Sequence, residues 1–185
     1  MKFDSVLENK LRGDIDWTIP KGLEIDNEIQ VFVEGGAVHK GQEIVFRGIS
    51  NNLEGSQCTV RIFRLGWYHG AGARSVIDSE KLAIDYGETW NNTDLPNESL
   101  FEQGPKWPVI FSKVVPNDWC DGMYMAKFES IQGGSILVPF WLTSPGEAEG
   151  LCFCFSPLNI QSRNWWGGAS ATQVINGKSK RKREL

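Results

Sequence analysis

An all-β fold, two stacked sheets of short antiparallel strands, is the class this sequence predicts, on three observations. About six or seven short segments alternate apolar and polar residues with a period of two. Turn formers separate them, within a total of 20 Gly and 8 Pro. No stretch carries a long helical period, so a sandwich is the layer architecture left. The 185 residues suit one domain, or one domain plus a fragment of another.

The elements follow in order. Residues 1–27 show no clean period and read as an N-terminal arm, with "DIDWTIP" an extended segment that lays Trp17 on the body. The sandwich is assigned to residues 28–145. "EIQVFVEGG" puts Ile29, Val31 and Val33 on one face and Glu28, Gln30 and Glu34 on the other. "GQEIVFRGIS" puts Ile44 and Phe46 on one face, with Val45 and Ile49 opposite. "CTVRIFRLG" has Val60 and Ile62 in phase, then Phe63 and Leu65, and that change of phase predicts a bulge or twist near its end. Within residues 76–106, "SEKLAIDYGETW" fits a strand or a short helix, and "NNTDLPNESLFEQGP" is a polar insertion. "WPVIFSKVVP" returns to strand character. "GMYMAKFES" points Tyr124, Ala126 and Phe128 inward and Lys127 and Glu129 outward, and it pairs across "IQGG" with "GSILVPFWLT" as a hairpin.

"PNDWCDGMY" adds a specific feature. A Tyr entering a late strand just after an Asp-x-Gly turn is placed to bond upstream backbone as a tyrosine corner, here Tyr124. The sandwich is therefore read as immunoglobulin-like in architecture, without the Cys…Trp…Cys core of antibody domains. The polar "TSPGEAEG" marks a boundary, and residues 146–185 are assigned to a linker, a strand and a basic tail. "LCFCF" reads as a strand buried on both faces, as in a parallel α/β sheet. "SPLNIQSRNWWGGAS" is then the loop leaving it, where open parallel sheets bind ligands. The expectation is a truncated start of an α/β domain.

Charge narrows the partners. The chain carries net −4, and its tail "KSKRKREL" holds five basic residues against one glutamate, which leaves −8 for residues 1–177. Such a body is a poor match to a phosphate backbone, so nucleic acid is not an expected partner. No apolar run reaches membrane-spanning length, and "MKFDSVLENKLRGDID" lacks an apolar signal core, so the expected setting is the cytoplasm, with no membrane partner. Cys58, Cys120, Cys152 and Cys154 are then reduced by default.

The motifs are mostly structural. "RLGWYHGAGAR", residues 64–74, has no Lys-Ser/Thr for a P-loop and opens no helix for a dinucleotide fingerprint. It reads as a glycine corner ending a strand, with Trp67 and Tyr68 folded onto the sandwich; a ligand-contact role is the alternative. Cys152 and Cys154 share a strand face, and His39 and His69 are isolated, so the reading is a buried reduced pair and no metal site. No Ser–His–Asp set or G-x-S-x-G can be assembled. Scattered acidic residues select no catalytic pair. Trp90, Trp107, Trp119, Trp165 and Trp166 would stack sugars if exposed and fill the core if not. The tail reads as a disordered, truncated or frame-shifted end; a basic patch contacting acidic partners, or a nuclear signal, is the alternative, and "KREL" only faintly matches an ER-retention signal. Asn91-Asn92-Thr93 and Asn97-Glu98-Ser99 are glycosylation sequons that matter only in a secreted chain.

Taken in order, "VRIFRLGWYHGAGAR", "WPVIFSKVVPNDWCDGMYMAKFES", "SILVPFWLTSP" and "LCFCFSPLNIQSRNWWGGAS" resemble the large (beta) subunit of N,N-dimethylformamidase and its relatives, over about residues 28–170. The resemblance implies an immunoglobulin-like N-terminal part with a glycine corner, leading into a glutamine amidotransferase-like α/β catalytic domain. It implies an amide hydrolase with one iron held by tyrosines and a glutamate of that domain. The family loop is of the form N-T-W-x-A-Y-N-x-W-G-G-x-S-x-Y. Here its Ala-Tyr-Asn is Ser162-Arg163-Asn164, and its Ser-x-Tyr is Ser170-Ala171-Thr172. Asn164, Trp166, Gly167, Gly168 and Ser170 are the matches at the ligand-facing end, and no iron ligand carries over, so no cofactor is expected in this chain. Gly66, Trp67, Tyr68, Gly70, Gly72 and Arg74, with Tyr124, are implied to be a structural corner. The expected function is an accessory, non-catalytic sandwich of such an amidohydrolase, partnered by the rest of the catalytic domain or a small subunit. The alternative is a free-standing carbohydrate- or protein-binding module.

Overall fold

The computed structural model describes residues 5–20, 28–87, 107–144, 174–175 and 178–179. Its body is two sheets. A three-stranded sheet has the order β1 (Ile29–Val33), β3 (Glu43–Ser50), β6 (Val109–Val114). A five-stranded sheet has the order β2 (Ala37–His39), β8 (Ser135–Thr143), β7 (Gly122–Ser130), β4 (Ser56–Leu65), β5 (Ala73–Ile84). A first strand shared between sheets, the third beside it and the fourth crossing to the other sheet is the chain path of an immunoglobulin-like sandwich. One turn of helix, α1 (Ser5–Glu8), and one 3-10 turn, Tyr68–Gly70, are the helical elements among the described residues. None is long and apolar enough to cross a membrane.

Alternation builds the core. Cys58, Val60 and Ile62 of β4, Tyr124, Ala126 and Phe128 of β7, and Val138, Phe140 and Leu142 of β8 face Ile29, Val31, Ile44, Phe46 and Phe111 of the other sheet. Phe46 is the knot: its ring meets Phe111 at 6.0 Å, Phe128 at 5.4 Å and Phe140 at 5.9 Å, the last two edge-on.

The expected phase change in β4 is present as two bulges against β5, between Val60 and Ile62 and between Ile62 and Phe63. "SEKLAIDYGETW" resolves in favour of a strand, since β5 runs to Ile84. Three expectations within the sheets differ. The pairing is not wholly antiparallel: β2 lies parallel to β8, Val38 against Leu142. At three residues β2 is too short to show a period, and it arises because the first strand changes sheets at Gly35-Gly36, both at positive φ. Gln30 is buried, because residues 85–87 return over that face: Ser50 N donates to the Asp85 carbonyl, and Gly87 lies against Ile49, the partner of Gln30. Lys127, expected in solvent, is 4% exposed. Arg61 and Lys127 are direct cross-strand neighbours, a like-charge pair that is unfavourable alone. The arm covers and neutralises them. Asp14 Oδ2 accepts from Arg61 at 2.6 Å, Lys127 Nζ donates to the Asp16 carbonyl at 3.0 Å, and Glu129 pairs with Lys127 at 2.8 Å.

In the tail, expected to lack structure, β9 (Val174–Ile175) pairs antiparallel with β10 (Lys178–Ser179). The intervening Asn-Gly is the sequence signal for a two-residue hairpin. The "LCFCF" strand, Cys152, Cys154 and the boundary at 146 lie outside the described residues.

Glu28, assigned to the solvent face, is half-buried at the far end of the sandwich. Its Oε1 accepts from Ser56 Oγ at 3.0 Å and Ser130 Oγ at 2.6 Å, tying the start of β4 to the end of β7. Burial, then the Glu28 charge, pushes the nearby Cys58 thiol up to about 11 from 9.0. The folded chain thus keeps this proton where the unfolded chain loses it. The contribution is complete below pH 9 and is lost as pH rises toward 11. Denaturant titrations across that window should show stability falling with pH, with a shallower fall in Cys58→Ala.

Candidate functional site

The glycine corner joins β4 to β5, and its arginines, tyrosine and histidine are engaged within the protein. Gly66 N bonds the Gly72 carbonyl at 3.0 Å and closes the loop. Tyr68 and His69 sit at φ 40° and 56°, in the left-handed region where side-chain-bearing residues are strained. Gly70 and Gly72 take φ 91° and 87°. Gly72 has a second reason to be glycine. A Cβ there would meet the Trp17 indole at 3.0–3.3 Å, and that indole donates from Nε1 to the Ala71 carbonyl at 3.0 Å. Trp17 therefore packs on the body at the corner itself.

The arm holds the loop in its strained form. Asn9 Oδ1 accepts from Trp67 N at 2.7 Å, and Lys10 offers its carbonyl to His69 Nε2 at 3.2 Å. Beneath lies a buried charge cluster. Glu8, 5% exposed, accepts on Oε1 from Arg74 Nε at 2.8 Å, Arg74 Nη2 at 2.7 Å and Tyr68 Oη at 2.8 Å. Tyr68 Oη in turn accepts from Arg64 Nη1 at 2.9 Å. Arg64, itself 6% exposed, crosses to the turn before β7, donating from Nη2 to the Asp121 carbonyl at 3.0 Å and from Nε to the Cys120 carbonyl at 3.4 Å. Tyr124 Oη donates to that same Cys120 carbonyl at 2.6 Å, the bond of a tyrosine corner. Its ring is stacked between Trp119 and Phe140, at 5.1 and 5.3 Å. Burial pushes both phenols, Tyr68 and Tyr124, above their ordinary range. Burial opposes the charge of Arg74, but hydrogen bonding to Glu8 and its charge outweigh this, so its pKa is raised.

Gly66, Tyr68, Gly70, Gly72, Arg74 and Tyr124 are thus brought to one end of the sandwich. Trp67 departs from expectation. It is 70% exposed and not folded onto the body, because the left-handed Tyr68 turns its neighbour's side chain outward while burying its own. Trp107 and Trp119, named as possible sugar platforms, are buried. Trp90, Trp165, Asn164, Trp166, Gly167, Gly168 and Ser170 lie outside the described residues. Glu8, Asn9 and Arg64 went unrecognised in the sequence.

The family model described as N,N-dimethylformamidase beta subunit-like, C-terminal, matches residues 59–184, more than half of the chain. The chain belongs to this family. The matching part is described as C-terminal, which corrects the N-terminal placement that the resemblance implied; the match starts inside β4 and takes in the corner, β7 and β8.

No curated protein matches the chain. Among solved structures, it is similar to an alkylpurine DNA glycosylase of Pseudomonas fluorescens bound to DNA containing an abasic site analog, at 12% identity and TM-score 0.35, covering 65% of this chain and 32% of that one. A sporulation control protein of Bacillus subtilis gives 10% identity and TM-score 0.33, covering 63% and 49%. A mutant β-glucosidase of Listeria innocua in complex with laminaribiose gives 8% identity and TM-score 0.32, covering 63% and 16%. The chain spans less than half the length of each of these three.

The iron implied by the family resemblance can be tested against the residues present. A tyrosine and a glutamate do meet, Tyr68 and Glu8. Two guanidiniums already bond them, which repels a cation, and burial keeps the phenol protonated. No group of three or more His, Cys, Asp or Glu among the described residues could hold a metal ion. These residues do not fit the iron.

Proposed function

We propose that this chain is an accessory part of an N,N-dimethylformamidase-like amidohydrolase, with the corner at residues 64–74 as a structural joint rather than a reaction centre. The observation that supports this most is the mutual engagement of Glu8, Arg64, Tyr68 and Arg74. Each guanidinium and the phenol has its partners inside the fold, so none is left poised toward a substrate. In this reading Tyr124 and Arg64 tie β4 to the turn before β7, and amide hydrolysis belongs to the assembly that contains the remaining catalytic domain or a small subunit. The experiment is direct. The purified chain, supplied with ferric iron and N,N-dimethylformamide, should release no dimethylamine above the blank. It should also retain no stoichiometric iron after desalting. Turnover, or one iron bound per chain, would refute the accessory role.

A further inference from the structure

We propose that the corner presents a docking surface for an acidic segment of a partner polypeptide, with Trp67 as its anchor. Three observations place it. The indole is 70% exposed, yet its backbone is fixed on both sides. Trp67 N is bonded to Asn9, and its carbonyl accepts from Gly70 N at 2.8 Å. An exposed aromatic on a pre-ordered loop loses little freedom on binding, which is the character of an interface hot spot. The left-handed Tyr68 and His69 carry strain that the corner's own packing does not use to bury Trp67.

The surroundings choose the occupant. Residues 9–13 run alongside residues 67–71, with Gly13 against Tyr68 and Ala71, and the Lys10 carbonyl on His69. Lys10, Leu11 and Arg12 are exposed there, beside His69. Among the described residues neither Lys10 nor Arg12 has a carboxylate within ion-pair distance. The described carboxylates of the arm pair elsewhere: Glu8 with Arg74, Asp14 and Asp16 with Arg61. The surface therefore offers an exposed indole and, on the adjoining stretch of the arm, a leucine and two cations without a described carboxylate partner, on a chain whose first 177 residues sum to −8. That local reversal of sign complements carboxylates interleaved with apolar side chains. A nucleic-acid backbone fits less well, because two cations give it little and the surrounding acidic body repels it. The surface does not depend on what the assembly hydrolyses.

The test uses the full chain and three fluorescent probes: a peptide alternating Glu and Leu, its Lys counterpart, and single-stranded oligothymidylate. Anisotropy should show the Glu peptide binding in preference to the other two, with affinity falling as salt rises. Trp67→Ala should weaken it about tenfold. Lys10→Glu/Arg12→Glu should shift the preference to the Lys peptide. Trp67→Phe, which keeps an aromatic ring, should retain most of the binding and also guards against a folding defect. Equal binding of the two peptides, unchanged affinity in Trp67→Ala, or a preference for oligothymidylate lost in Trp67→Ala would each overturn the proposal. So would concentration-dependent self-association that Trp67→Ala abolishes, since the occupant would then be a second copy.

Discussion

Replacing Glu8 by Gln should lower the unfolding free energy by about 3 kcal/mol, the cost of removing one partner of a buried ion pair. The carboxylate is the shared acceptor of Arg74 and Tyr68, and its side chain is as secluded as the core. Without it, two guanidiniums and a phenol face one another with no negative charge between them. The amide offers one acceptor oxygen and two donors of its own, which then point at donors. Urea denaturation gives the size. Hydrogen exchange gives the place: amides of residues 66–72 should lose protection more than those around residues 131–134, because the clamp is at one end only. The double variant Glu8→Leu/Arg74→Met should recover part of the loss, since removing both charges is far less costly than stranding one. If Glu8→Gln has the stability of the parent, the cluster is not what holds the corner.

Phe46→Ala should cost about 4 kcal/mol, within the range for deleting a fully enclosed aromatic ring. At this ring β3, β6, β7 and β8 meet, through Phe111, Phe128 and Phe140. Its removal opens a void between rigid sheets, which cannot close by a side-chain rotation alone. Chemical denaturation of the purified variant measures this. Phe46→Leu fills most of the space and should lose clearly less. Equal losses in the two variants would mean that the sheets relax into the cavity.

What was legible in the sequence was whatever depends on neighbours along one strand. The alternation of Tyr124, Ala126 and Phe128, and the slipped phase at Ile62-Phe63, are imposed by the pleat itself, so they survive in the one-dimensional pattern. Tyr124 was legible for a related reason: its acceptor, Cys120, is four residues away. The clamp was not legible. Glu8 meets Arg74 across 66 positions and Asp14 meets Arg61 across 47, and nothing local marks which charged residue of "SVLENKLRGDID" is buried. A usable hint was present, namely acidic residues in the arm and two arginines on β4, Arg61 and Arg64, with no acidic residue in that strand. Lys127 was misread for the same cause, because a strand's outer face is solvent only if no third layer covers it. The three residues of β2 gave no period to read.

The parallel pairing of β2 with β8 sets the order in which this molecule can be finished. A ribosome delivers Ala37–His39 early and Trp141–Thr143 more than a hundred residues later, so the first edge must wait, unpaired, for the last strand of the sandwich. The same delay holds the arm's Asp16 from Lys127. Contacts of such sequence separation carry a large closure entropy and slow the search. Synthesis halted anywhere before Leu142 therefore yields a chain with an open sheet edge, and such chains are the ones that pair with one another instead.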